Sequence, residues 1–214
     1  MIQTVQNLKI NSIIQNWILK DFWKNDFAGS YISEFWNNFL KGILGIPFIA
    51  FAPFVGVAIC VYCFGKVSMA HFNPTVTIGY LITGHLRKNL VACYFGAEII
   101  GALLASVFVK YAIGTEANLG ANAPNYNFSL PFIFGVEVLA SVLLMAVIYA
   151  VVLTKGLRSF SGIAIGGIVG LDIFFFGLVS GASMNPARSL APALISGYLW
   201  DCGCIGLLLL LALH

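Results

Sequence analysis

Two Asn-Pro pairs, Asn73-Pro74 and Asn185-Pro186, stand 112 positions apart in a chain with few other polar residues. Each opens a short, mostly apolar run. An asparagine followed by a proline suits the entry of a helix: the proline takes the first turn, where its missing N–H leaves nothing unbonded, and the asparagine side chain caps the free backbone amides. Three residues after Asn185 comes Arg188. A guanidinium among apolar residues is costly unless it meets water or a partner, so an arginine at such a helix start marks a functional position. Three acids, Glu98, Glu137 and Asp172, are likewise set in apolar stretches. Glu98 reads as a structural acid, protonated or hydrogen-bonded, in preference to a gating group. Asp172 faces either a lumen or a neighbouring helix. The three histidines are well separated, and no nucleophile–base pair or metal-ligand cluster is indicated. Neither an enzyme nor a bound cofactor or metal is expected.

The elements that must hold these residues lie in a bilayer. The 214 residues are 60% hydrophobic and 9% charged, with mean hydropathy +0.94, far from the roughly 25% charged composition of soluble domains. The apolar runs are longer than barrel strands and do not alternate, so the spans are helices, which satisfy their own backbone. A net charge of +3, scattered along the chain, excludes a nucleic-acid partner. Cys60, Cys63 and Cys93 sit within apolar runs as small hydrophobes, whereas Cys202 and Cys204 are candidate exposed thiols. The N-terminus lacks a short apolar run with a small-residue cleavage site, so no signal peptide is expected.

Residues 1–30 are polar with scattered aromatics and lysines, either a helix on the membrane surface or a cytoplasmic tail, and the tail is the expectation. Uncharged 42–65 is long enough for one span, and 30–41 makes a poor one. Further spans are expected at 89–109, 131–153 and 161–179, with a polar, turn-rich loop at 110–130 and a basic connector at 155–158. Gly162, Gly166 and Gly170 fall four apart, and Gly177 and Gly181 repeat the interval, a small-residue face for close helix contact. Only 197–214, interrupted by Asp201, remains for a last span. Arg87, Lys88, Lys155 and Arg158 lie in connectors on one side, and the 111–130 loop carries Glu116 without lysine or arginine. The positive-inside rule puts the basic connectors and the N-terminus in the cytoplasm. The two Asn-Pro turns then follow helix ends on opposite sides, the sign of an inverted repeat with a site near the midplane.

The stretches AHFNPTVTIG and SGASMNPARSLAPAL resemble the two signature loops of the aquaporin, or major intrinsic protein, family. The resemblance runs from about residue 57 to 194 and includes Gly65, Ser68, the Gly-Ala-Glu-Ile-Ile-Gly-Ala run at 96–102 and Glu137. It implies an all-α membrane protein: a right-handed bundle of about six transmembrane helices, plus two re-entrant half-helices that start at the midplane. There Asn73, Pro74 and Thr75 face Asn185, Pro186 and Ala187, and the asparagine amides donate to permeating water so that no proton is relayed. Thr75 stands where the family usually has alanine, which packs against the opposite motif; its hydroxyl can bond back to a carbonyl one turn earlier. By the same resemblance Arg188, Ala182, Ile173 and either Pro53 or Phe54 make the extracellular selectivity filter. His71 lines the cytoplasmic vestibule, where a pH-sensing role would be open to it. Glu137 accepts from loop backbone amides, and Glu98 stands where glutamine is common. Water-specific members carry histidine at the Ile173 position, so this filter is expected to be wider and more apolar, nearer to members that also pass glycerol, urea or neutral metalloid acids. Ser189 and Ala193 point the other way, toward water channels and the plant nodulin-26-like group.

The expected organisation is a tail at 1–30 and one channel domain at 31–214, with repeats at about 31–110 and 131–214. Glu34 resembles the acid near the start of the family's first span. It stands only 39 positions before Asn73, scarcely room for two spans of about twenty residues and a turn, so the first span is expected either to be abbreviated, using the polar 31–47 region, or to be missing as a true crossing; the last, at 197–214, is expected to be short. Two functions follow: a passive channel for water and small neutral solutes, or a non-conducting or partner-dependent remnant of the same fold. A coupled transporter is disfavoured. The expected setting is a multi-pass homotetramer in the lipid bilayer of the cell membrane, N-terminus cytoplasmic.

Overall fold

A computed structural model describes residues 45–114, 119 and 121–197. The tail at 1–30, Glu34 and the first span, Glu116, and the last span with Asp201, Cys202 and Cys204 lie outside the described residues. Among the described residues all regular structure is helical. Helix α1 is Gly45–Ser68, α2 is Pro74–Ile82, α3 is Val91–Phe108, α4 is Leu130–Leu153, α5 is Ser161–Ser180 and α6 is Pro186–Ser196.

The long helices are apolar on every side, as segments between lipid and protein must be. Phe132, Leu139 and Val142 on α4 and Ile163, Leu171, Phe174 and Phe175 on α5 point outward, while Glu137, Ser141 and Asp172 are buried. These polar groups thus face inward, together with apolar residues such as Ile133, Leu144 and Ile165. Among the described residues three helical stretches are long and apolar enough to cross a membrane: Lys88–Ala112, Leu130–Leu153 and Lys155–Ser180. Helix α1 contains the shorter apolar stretch Ala50–Lys66. At 1.5 Å per residue the 24 residues of α4 extend about 36 Å, more than one hydrocarbon thickness. The 9 residues of α2 and 11 of α6 reach only about 14 and 16 Å, so together they make about one crossing.

Helix α1 packs mainly on α5, α4 on α5, α3 on α6, and α2 on α3. The α1–α5 contact is close because of glycine: a Cβ at Gly166 would lie 2.3 Å from the Phe54 carbonyl oxygen, one at Gly162 2.7 Å from that of Ala58, and one at Gly170 3.1 Å from that of Ala50. The small-residue face ends there. A Cβ at Gly177 would meet only Ile173 of its own helix, and Gly181 terminates α5 in the left-handed region at φ +83°. The loop expected from residue 110 begins later, since α3 continues into a wider turn at Val109–Ile113. Lys110 therefore sits at a helix end and donates from Nζ to the Ile195 carbonyl, 3.2 Å away, at the C-terminus of α6. A cation there answers the negative end of the half-helix.

Candidate pore and its filter

Both Asn-Pro turns are helix caps. Asn73 is extended (φ −156°, ψ 118°) and its Oδ1 accepts from the Thr75 amide at 2.9 Å, with Pro74 in the first turn of α2. Asn185 is likewise extended (φ −138°, ψ 104°), and its Oδ1 accepts from the amides of Ala187 (3.1 Å) and Arg188 (3.3 Å). With each carboxamide oxygen so engaged, each nitrogen points across to the other loop. Asn73 Nδ2 donates to the Met184 carbonyl and Asn185 Nδ2 to the Phe72 carbonyl, both at 2.8 Å. Each acceptor is the residue just before the other asparagine. The two half-helices are therefore braced reciprocally, N-terminus toward N-terminus.

The repeat holds in detail at the interval of 112. Ser68 and Ser180 end α1 and α5, and each hydroxyl accepts from the amide two residues on, Ala70 at 3.3 Å and Ala182 at 3.1 Å. Ala70 and Phe72 have φ of 48° and 50°; Ala182 and Met184 have 44° and 52°. Left-handed non-glycine residues cost about 1–3 kcal/mol each, and the same pair in both loops turns the chain sharply into the asparagine. His71 Nδ1 bonds Thr77 Oγ1 at 2.8 Å, and at the equivalent positions the hydroxyls of Ser183 and Ser189 bond each other.

A carboxyl holds each motif. Glu137, wholly inaccessible on α4, accepts from the amides of Ser183 (2.9 Å) and Met184 (3.0 Å). Met184 is the residue that receives Asn73, so the anchor acts directly on the brace. On the first loop Glu98 Oε1 accepts from Thr77 Oγ1 at 2.6 Å, closing a chain from Glu98 through Thr77 to His71. Asp172 is 1% exposed and its Oδ2 has no hydrogen-bond partner among the described residues. It lies in the bundle interior, on the buried side of α5.

Several expectations change. His71 does not line a vestibule with its ring: it is 4% exposed, stacked between Tyr80 (4.7 Å) and Tyr94 (4.3 Å), and its Nε2 is sealed. The left-handed residues on either side of it turn the imidazole into the protein. Thr75 is buried, but its hydroxyl has no partner among the described residues; as second residue of α2 it has no preceding helical turn to bond back to. Of the pair Pro53 and Phe54, both half-buried, Phe54 packs into the α1–α5 contact against Gly166 and Gly170, and Pro53 lies inside α1. Ile173 is half-buried on α5 and packs on the cluster that includes Ala182 and Met184. Arg188 is half-buried in the first turn of α6.

At the second loop the sequence did not mark Asn122. Asn122, in the connector between α3 and α4, accepts at Oδ1 from Arg188 Nη1 and donates from Nδ2 to the Gly181 carbonyl at 3.1 Å. The only sequence signal is a loop rich in asparagine.

Known proteins bear on this arrangement. A family model described as "Major intrinsic protein" matches residues 26–205. Aquaporin NIP3-1 of Arabidopsis thaliana is 38% identical over 167 residues, covering 73% of this chain and 50% of the relative. Aquaporin NIP1-4 of Oryza sativa subsp. japonica is 36% identical, covering 72% of this chain and 57% of the relative. Nodulin-26 of Glycine max is 35% identical, covering 75% and 59%. The chain thus spans about half the length of the curated relatives it matches. With its extended family match, its all-helical apolar architecture and its paired Asn-Pro half-helices, the chain is an integral membrane protein with the aquaporin-like helical bundle and belongs to the major intrinsic protein family.

Proposed function

We propose that the chain is a passive channel for water and small uncharged solutes, of which glycerol, urea and neutral metalloid acids are the candidates, and that it excludes protons and ions. The reciprocal brace between Asn73 and Asn185 carries this reading. Each carboxamide spends one N–H on the opposing loop and keeps a second for a solute. The facing N-termini of α2 and α6 present their positive ends at the same level, a field that repels cations. A water accepting from both asparagines has its lone pairs occupied and does not relay a proton.

In this reading Arg188, Ala182, Ile173 and one of Pro53 and Phe54 form the extracellular filter. Arg188 donates to the solute, and the aliphatic Ile173 keeps the opening wider and less polar than a histidine would. Glu98 and Glu137 act structurally, through the bonds that fix each loop. Residues 31–214 form one channel domain, with repeats at about 31–110 and 131–214 and a cytoplasmic tail at 1–30. It sits in the cell membrane as a homotetramer, N-terminus cytoplasmic.

Purified protein in proteoliposomes tests the reading. Inward gradients of glycerol, urea and boric acid should each be followed by light scattering, after an osmotic step with an impermeant solute. Faster shrinkage than in empty liposomes, with re-swelling in at least one of the neutral solutes, is expected. Rates equal to empty liposomes from folded protein would instead mark a non-conducting remnant of the fold.

A further inference from the structure

We propose that Asn122 is a positioning residue that fixes the guanidinium of Arg188 and thereby sets the bore of the extracellular constriction. The inference rests on the reading that Arg188 belongs to the filter. Asn122 is 7% exposed and comes from the connector, outside both Asn-Pro loops, yet it ties together the two ends of the second loop. Its Oδ1 receives Arg188 Nη1 and its Nδ2 reaches the Gly181 carbonyl. The two partners dictate the orientation of the amide, because a flipped carboxamide would set its NH2 against the guanidinium and its oxygen against a carbonyl. Gly181 makes the room: a Cβ there would lie 3.3 Å from Asn122 Nδ2, on a backbone already at φ +83°.

The connector supporting Asn122 is itself held. The Asn125 amide donates to the Val179 carbonyl at 3.0 Å, Ala121 packs with Ala193 of α6, and Pro124 is buried. An arginine gives up about 1.5–2 kcal/mol of rotamer freedom when fixed, and a buried acceptor on a rigid support is what offsets that loss.

The test compares wild type, Asn122→Ala, Asn122→Asp, Arg188→Ala and Asn122→Ala/Arg188→Ala in proteoliposomes. The readouts are the ratio of urea to water permeability and potassium leak. Asn122→Ala should raise the urea-to-water ratio at least about threefold, in the direction of Arg188→Ala. The double variant should match Arg188→Ala alone, since Asn122 acts through the arginine. Asn122→Asp retains the acceptor for Arg188 but sets its second oxygen against the Gly181 carbonyl, so its ratio should fall between those of wild type and Asn122→Ala, while its charge raises potassium leak. A ratio within about twofold of wild type in Asn122→Ala, or a double variant that shifts well beyond Arg188→Ala, overturns the proposal. Should the alanine variant fail to assemble, Asn122→Asp carries the test: a ratio as altered as that of Arg188→Ala overturns it. Failure of the pore reading is separate and shows as an impermeable wild type, or as Arg188→Ala without effect on the ratio.

Discussion

Replacing Glu137 by glutamine changes one oxygen to an NH2 group, and its consequences can be worked through bond by bond. In the native protein both carboxyl oxygens accept backbone amides, from Ser183 at 2.9 Å and Met184 at 3.0 Å, at a side chain with no solvent access. Glutamine keeps one acceptor. Its NH2 then opposes the second amide, donor against donor, where no water can enter. A hydrogen bond to a charged group contributes about 1.5–3 kcal/mol, and an unsatisfied buried amide costs a further 1–3 kcal/mol or so. The substitution should therefore destabilise by about 3–5 kcal/mol. The effect extends beyond stability, because the Met184 carbonyl is the acceptor for Asn73, so displacing Met184 loosens the brace. Thermal unfolding of the detergent-solubilised protein and osmotic permeability in proteoliposomes should fall together in Glu137→Gln, and further in Glu137→Ala. A Glu137→Gln protein with unchanged unfolding midpoint and unchanged permeability would refute the assignment of Glu137 as the anchor of the second loop.

Adjacent glycines on α5 should respond oppositely: Gly166→Ala forces a methyl to 2.3 Å from the Phe54 carbonyl and should cost upward of about 1–3 kcal/mol, whereas Gly167→Ala meets nothing within 4 Å and should be neutral or stabilising. The monodisperse fraction and unfolding midpoint of the two variants check this, and equal behaviour would contradict the close α1–α5 contact. Thr75→Val removes a buried hydroxyl that has no partner among the described residues while keeping its shape, so the unfolding midpoint should rise by the equivalent of about 1 kcal/mol; a fall would show that the hydroxyl is bonded in solution.

What the sequence made legible follows from the physics of each feature. The spans at 131–153 and 161–179 could be placed from composition alone, since a bilayer imposes long, nearly uncharged runs, and the helix limits of α4 and α5 fall within a residue or so of the expected ones. The two caps were readable because asparagine and proline have few reasons to stand together at the start of an apolar run. The brace was not readable: its acceptors are the main-chain carbonyls of Phe72 and Met184, and a carbonyl leaves no mark on residue identity. His71 was misdirected for a related reason, since side-chain direction depends on the left-handed turns at Ala70 and Phe72, neither of them a glycine that would announce such a turn. Lys110 and Asn122 were hidden in a stretch whose composition reads as loop. Their partners, the Ile195 carbonyl and Arg188, lie 85 and 66 positions away.

The proposed channel requires the braced asparagines to let water through the midplane while breaking proton transfer. Simultaneous measurement of osmotic water flux and proton flux, the latter by an entrapped pH-sensitive dye, in proteoliposomes of known protein content addresses it most directly. The account predicts water permeability that rises with protein content while proton flux stays at the level of empty liposomes. Water flux no greater than in empty liposomes, or proton leak that climbs with protein content, would contradict it.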